Sequence, residues 1–117
     1  MEKMHIINDI RPWGSFRQFT DNQQTTVKII NVTAGQRLSL QYHNHRDEFW
    51  VVLSGNPRIT IGADVLDAAP GDEFTVPVNT LHRMEAPKND ACILEIAFGD
   101  FDENDIVRLE DAYGRIT

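Results

Sequence analysis

The chain is poor in several things, and each scarcity excludes something. Of 117 residues only one is cysteine, Cys92, so no internal disulfide holds the fold. A lone thiol fits a small buried hydrophobe in a reducing compartment, and a cytoplasmic setting is expected. No apolar run approaches the ~18 residues a membrane helix needs, and nothing resembles a secretory leader, so no membrane partner is expected. Positive charge is also scarce. Eleven Lys and Arg face eighteen Asp and Glu, a net charge of −7, which argues against general binding to nucleic acid or anionic lipid. Internal repeats and low-complexity linkers are absent.

What is present suits one modest globular domain over residues 1–117, with 41% apolar and 25% charged residues. Short β-rich runs, divided by turn signals every 8–12 residues, predict an all-β sandwich or barrel. Met1 to Asp9 reads as an amphipathic lead-in with a strand around His5 to Ile7. Arg11 to Phe16 is broken by Pro12 and Gly14 and reads as a compact turn, with Trp13 and Phe16 covering apolar surface. Strands are expected at Arg17–Thr20 and Thr26–Val32 around the polar turn 21–24, then at 37–45, Phe49–Leu53, Arg58–Ile61, Glu73–Val76 and Ala91–Phe98. Phe49–Leu53 is nearly all apolar, as for a strand buried on both sides. Ile106–Tyr113 reads as a short helix or a strapped tail after an acidic stretch.

The segment richest in chemistry is Gln41-Tyr42-His43-Asn44-His45-Arg46-Asp47-Glu48. On a strand over 37–45, Arg37, Ser39, Gln41, His43 and His45 share one face, and Leu38, Leu40 and Tyr42 share the other. Two imidazoles two residues apart and a nearby carboxylate can converge on a divalent cation, and His82 is the histidine placed to complete the set. Two of four histidines could also fall in this pattern by chance, on a solvated strand. A polar inner face with an apolar outer one implies a liganded interior and an exterior covered by another sheet or subunit, hence a homodimer.

Gly35, His43-x-His45, Glu48 and Gly55, followed by Gly71, Pro77, Asn79 and His82, resemble the two motifs of the cupin family. Asn79 stands for a motif glycine, which Asn can replace where the backbone turns left-handed; Ala86 stands for a motif asparagine. The resemblance implies a double-stranded β-helix, a jelly-roll-like barrel. A closer likeness covers nearly the whole chain. The stretches Arg11-Pro12-Trp13-Gly14-Ser15, Leu38-Ser39-Leu40-Gln41, His43-Asn44-His45-Arg46, Glu48 to Gly55, His82-Arg83-Met84-Glu85, and Asp105 to Arg108 through Asp111 to Arg115 are similar to the isomerase domain of type II phosphomannose isomerases. These usually form the C-terminal part of bifunctional guanylyltransferase/isomerases. No glycine-rich phosphate loop occurs within these residues, so guanylyltransferase chemistry is not expected of them.

The resemblance implies interconversion of mannose 6-phosphate and fructose 6-phosphate, which needs a metal at the sugar oxygens, a base between C1 and C2, and a cation for the phosphate. It implies metal ligation by His43, His45, Glu48 and His82, with zinc favoured over Mn, Co, Ni or Fe. Gln41 is a further possible donor, matching the Gln-x-His pair of the zinc-dependent type I isomerases. Glu95, in phase with Ile93 and Ala97, matches an acid in the family's last strand and is the candidate base. Arg46 and Arg115 match positions associated with activity and are candidate phosphate anchors, ahead of Arg37, Arg83 and Lys28. Two other readings fit the same ligand set: a non-catalytic cupin holding a sugar phosphate or nucleotide-sugar, and a metal-dependent oxygenase.

Overall fold

The computed structural model describes residues 6–115; the expected strand around His5 therefore lies partly outside the described residues. All regular structure within them is β, in the order β1 (Ile7–Arg11), β2 (Gly14–Gln18), β3 (Thr25–Val32), β4 (Leu40–Tyr42), β5 (Asp47–Ser54), β6 (Arg58–Ile61), β7 (Asp64–Asp67), β8 (Glu73–Val76), β9 (His82–Glu85), β10 (Ala91–Phe98) and β11 (Val107–Glu110). Among the described residues no helix is long and apolar enough to cross a membrane. Two antiparallel sheets make the body. One runs β3-β10-β5-β8 and the other β11-β4-β9-β6-β7, while β1 and β2 pair only with each other. This is the expected all-β double-stranded β-helix.

The barrel is filled from both sheets, and its filling changes character along its length. One part is apolar: Val32, Val52, Ile59, Met84 and Ile93 are all buried in one cluster, each 4% exposed or less. Truncating such a side chain, as in Ile93→Ala, typically costs about 2–5 kcal/mol. The other part is polar, because the period-2 alternation of four strands places charged groups inside. Across the first sheet, Lys28, Glu95, Trp50 and Phe74 lie in one cross-strand row. Across the second, Arg108, Gln41, His82 and Ile61 form another.

Two turns of this frame depend on backbone conformations that few residues tolerate. Gly55 ends β5 at φ +81°, and a Cβ there would sit 2.2 Å from the Asp90 carbonyl oxygen, so both dihedral and space require glycine. Asn79 has φ +59°, the left-handed conformation expected of it, and its N–H donates to the His43 carbonyl at 2.7 Å.

Four expectations are corrected. The strand expected over 37–45 is only Leu40–Tyr42. Arg37 makes an isolated bridge to Glu85, and the chain bends at Asn44 and His45. Ile106–Tyr113 holds a strand, β11, because Val107 and Leu109 alternate with Arg108 and β4 offers an open edge to pair with. Arg17–Thr20 does not pair with β3. Arg17 and Gln18 end a separate hairpin with β1, turned at Pro12 and Trp13, while Phe19 and Thr20 lie beyond it; Trp13 is 73% exposed instead of covering apolar surface. Lastly, β5 is buried on both sides only in its first half. Leu53 is 46% exposed, and Val27 and Ile29 on β3 are also exposed, which leaves an uncovered apolar strip on the outer face of the four-stranded sheet.

Candidate metal centre

His82 opens β9 directly across from Gln41 on β4, so both side chains enter the barrel at one level. His43 follows β4 just before the bend, and Glu48 enters from β5 in the opposite sheet. One ligand atom each from His43, Glu48 and His82 lie within 4.8 Å of one another, and all three residues are buried. His43 Nε2 is 3.4 Å from Glu48 Oε2, and His82 Nε2 is 3.9 Å from Glu48 Oε1. The imidazole rings are 4.9 Å apart, and Trp50 closes one side, its ring edge-on to His82 at 5.5 Å.

The histidine tautomers follow from their partners. His43 Nδ1 is 2.6 Å from the Asp105 carbonyl oxygen, and His82 Nδ1 is 2.9 Å from the Thr80 carbonyl oxygen. A carbonyl only accepts, so each Nδ1 carries the hydrogen and each Nε2 keeps its lone pair toward Glu48. Burial lowers the pKa of both rings, outweighing the pull of Glu48, so both stay neutral as ligands must be. Glu48 is oriented in turn by Trp50 Nε1, which donates to Oε1 at 3.0 Å. Gln41 Oε1 is buried and has no hydrogen-bond partner among the described residues. A buried carbonyl oxygen left bare costs roughly 1–3 kcal/mol unless something answers it, and a cation held by its neighbours would do so. The donor set therefore fits a divalent metal: two neutral imidazoles, a carboxylate and an amide oxygen.

His45 lies apart from this group. It is exposed, because the strand stops at Tyr42 and the bend breaks the alternation that would have kept it in phase with His43. The residues that the structure brings together are spaced as Gln41-x-His43, then four residues to Glu48 and six to Gly55.

Arg46 is buried with the ligands. Its Nε donates to Glu48 Oε2 at 3.0 Å, its Nη2 to His43 Nε2 at 3.1 Å, and its Nη1 to the Asp102 carbonyl oxygen at 3.2 Å. It and Lys28 each lie 4.4 Å from the Phe101 ring. Glu95 is 7% exposed, beside Glu48 and across from Lys28 on β3. Burial first, then the Glu48 charge, raises its pKa to about 7. Arg115 reaches the pocket edge but is bound by Asp111, at 2.8 Å and 3.2 Å, and its side-chain hydrogen bond holds the Asp111 carboxyl down at about 2. Of the weaker arginines, Arg37 lies outside the pocket near Glu85, and Arg83 donates to the Leu38 carbonyl oxygen.

Two residues at the ends of the Asp105–Arg108 stretch, which the resemblance includes without a role for either, belong to the site. Arg108 lines the pocket with a buried Nε that has no partner among the described residues. Asp105 accepts from the Asn44 and His45 amides at 2.8 Å and 3.0 Å; burial opposes its charge, but these bonds prevail and lower its pKa. The cavity between the two cross-strand rows is about 210 Å³, below the ~300–1,000 Å³ usual for drug-sized ligands, which suits a small polar molecule.

A β-helix of two antiparallel sheets with buried histidines and a glutamate in its mouth defines a cupin, and comparison with solved structures agrees. A cupin protein from Bacteroides fragilis superposes with a TM-score of 0.59 at 22% identity, covering 67% of this chain and 70% of that one. The model of the family described as "Mannose-6-phosphate isomerase C-terminal" matches residues 1–111, and the chain belongs to that family. Among curated relatives, the xanthan biosynthesis protein XanB of Xanthomonas campestris pv. campestris is 40% identical over 90% of this chain and 23% of its own length. The mannose-1-phosphate guanylyltransferase ManC of Salmonella typhimurium is 37% identical over 91% of this chain and 22% of its own. The chain thus spans under a quarter of the length of these relatives.

Proposed function

We propose that this chain is a metal-dependent aldose–ketose isomerase that interconverts mannose 6-phosphate and fructose 6-phosphate. The observation that carries the reading is the buried convergence of His43, Glu48 and His82 within 4.8 Å, with an acid of near-neutral pKa, Glu95, in the same pocket. Membership of the family supports the substrate class.

His43, Glu48 and His82 would hold the metal, with Gln41 Oε1 as the fourth donor; zinc is the ion proposed. Bound there, it would polarise the sugar oxygens at C1 and C2. Glu95 is the proposed general base. A carboxyl whose pKa lies near 7 both takes and returns a proton at neutral pH, which moving hydrogen between adjacent carbons requires. Arg46 must yield His43 Nε2 and Glu48 Oε2 to a metal, since it donates to both. With those two atoms given to a metal, the Arg46 guanidinium would have donors free for bidentate contact with a phosphate. Arg108, with its free buried donor, and Arg115 complete the basic wall. The small cavity favours a sugar phosphate over a nucleotide-sugar. As a further partner we propose a second copy of the chain over the outer apolar strip, and none that is nucleic acid or membrane.

The test is a coupled assay for fructose 6-phosphate formation from mannose 6-phosphate by the zinc-loaded protein. Turnover abolished by Glu95→Gln is the expected result. Sugar-phosphate binding without turnover would leave a binding module, and oxygen uptake with bound iron would make it an oxygenase.

A further inference from the structure

His43 stands where the barrel gives it little support. The strand that carries it ends one residue earlier, and the chain then bends through Asn44 and His45. The Asn79 N–H holds the His43 carbonyl and Arg46 meets Nε2, but Nδ1 and the two amides that follow are held by one residue of the connector 99–106 between β10 and β11. The Asp105 main-chain oxygen takes the hydrogen of His43 Nδ1 at 2.6 Å, and its two carboxylate oxygens take the amides of Asn44 and His45 at 2.8 Å and 3.0 Å. Ring tautomer, ring direction and the bend behind it are thus set from one side chain and one carbonyl. The rest of the connector is tied more lightly. Gln24 Nε2 donates to Asp100 at 3.1 Å, Lys28 pairs with Glu103 at 3.2 Å, and Phe101 rests on Arg46 and Lys28 instead of in the apolar core.

We propose that Asp105 is a positioning residue of the metal centre, fixing the His43 ring and thereby making the 99–106 connector part of what determines how tightly a divalent cation is held. This rests on the metal-binding part of the function proposed above. A carboxylate that merely caps a bend would steady the connector and leave the ligand set alone. Asp105 differs because the group that captures the bend also delivers the carbonyl that orients the ligand ring. Partners that orient a ligand histidine typically change metal affinity by about 10- to 100-fold when removed. By linkage, any ligand that holds the connector down must raise metal affinity by the same factor by which metal raises its own.

The experiment titrates the metal-stripped full chain with Co²⁺, reading the visible d–d absorption and the affinity in competition with a chromophoric chelator. Asp105→Ala should weaken Co²⁺ by about 10- to 100-fold and alter the d–d band. Asp105→Asn, which keeps one acceptor, should fall between it and the parent. Gln24→Ala, which loosens the same connector away from His43, should leave affinity and band unchanged. If Asp105→Ala does not fold, as judged by its thermal melt, Asp105→Asn decides. Parental affinity and an unchanged band in the Asp105 variant that decides would overturn the proposal, as would an equal loss in Gln24→Ala. Failure of the parent to bind Co²⁺ would remove the metal reading itself, which distinguishes the two failures.

Discussion

Gln41 and His82 face each other across the β4–β9 pair, and the Gln41 amide oxygen, buried at that level, has no hydrogen-bond partner among the described residues. This pairing separates a ligand from a bystander. If Gln41 is a metal donor, Gln41→Leu should lower zinc affinity by about tenfold, while the metal-free protein keeps or gains stability because a bare buried carbonyl has been removed. Chelator competition and a thermal melt on the same variant check both halves.

Arg46 offers a second test. Arg46→Ala should weaken mannose 6-phosphate binding by tenfold or more, about 1.4 kcal/mol or above, and mannose binding far less, because a charged donor serves the phosphate alone. Calorimetry with the two sugars measures the difference; equal losses would remove its phosphate role.

Above pH 4.5, where the lowered carboxyls of Asp105 and Asp111 no longer matter, the pH dependence of the metal-free protein has two components of opposite sign. His43 and His82 have folded pKa values below 6.5, so their contribution is full above 6.5 and is lost as the pH falls below it toward the folded values. Glu95 is raised from 4.5 to about 7, so its contribution is full below 4.5 and is lost as the pH rises to about 7. Glu95→Gln should therefore abolish the loss of stability between pH 4.5 and 7 that Glu95 causes and expose the histidine limb alone. Urea unfolding at a series of pH values reads this directly.

Gly55 makes a prediction about the frame. Gly55→Ala would force a methyl against the Asp90 carbonyl at a positive φ, at a cost of about 2 kcal/mol or more and a Tm lower by several degrees. A parental melting temperature would mean that the β5 turn and the Asp90 loop are not packed as described.

The outer face bears on assembly. Val27 and Ile29 are 56% and 61% exposed beside half-buried Val51 and Leu94. If a second copy covers them, Val27→Glu with Ile29→Glu should shift the sedimentation coefficient from dimer to monomer, whereas a parental monomer would remove that proposal.

Much of the fold could be read from the residues because its signals are local. Strands β6, β8 and β10 follow from alternation between turn residues, and Asn79 was marked as a left-handed position by its chemistry. The inward phase of Glu95 followed from Ile93 and Ala97, which are both buried. The errors share a cause: they depend on which edge a segment meets. His45 was kept in phase with His43 by extending a strand that ends at Tyr42, and only the connector's Asp105, sixty residues later, shows why the chain bends there. Residues 106–113 could not be told from a helix until β4 was seen to have a free edge. Arg108 belongs to a stretch that resembles the family, but its role rests on a buried Nε with no partner among the described residues, which no local pattern reveals.

The position of a bound cation is the decisive observation. An anomalous difference map from crystals grown with zinc should show one peak within about 2.3 Å of His43 Nε2, His82 Nε2 and a Glu48 oxygen, with His45 outside its reach. A peak held by His45, or zinc bound only at surface acids while His43 and His82 keep their present partners, would contradict it.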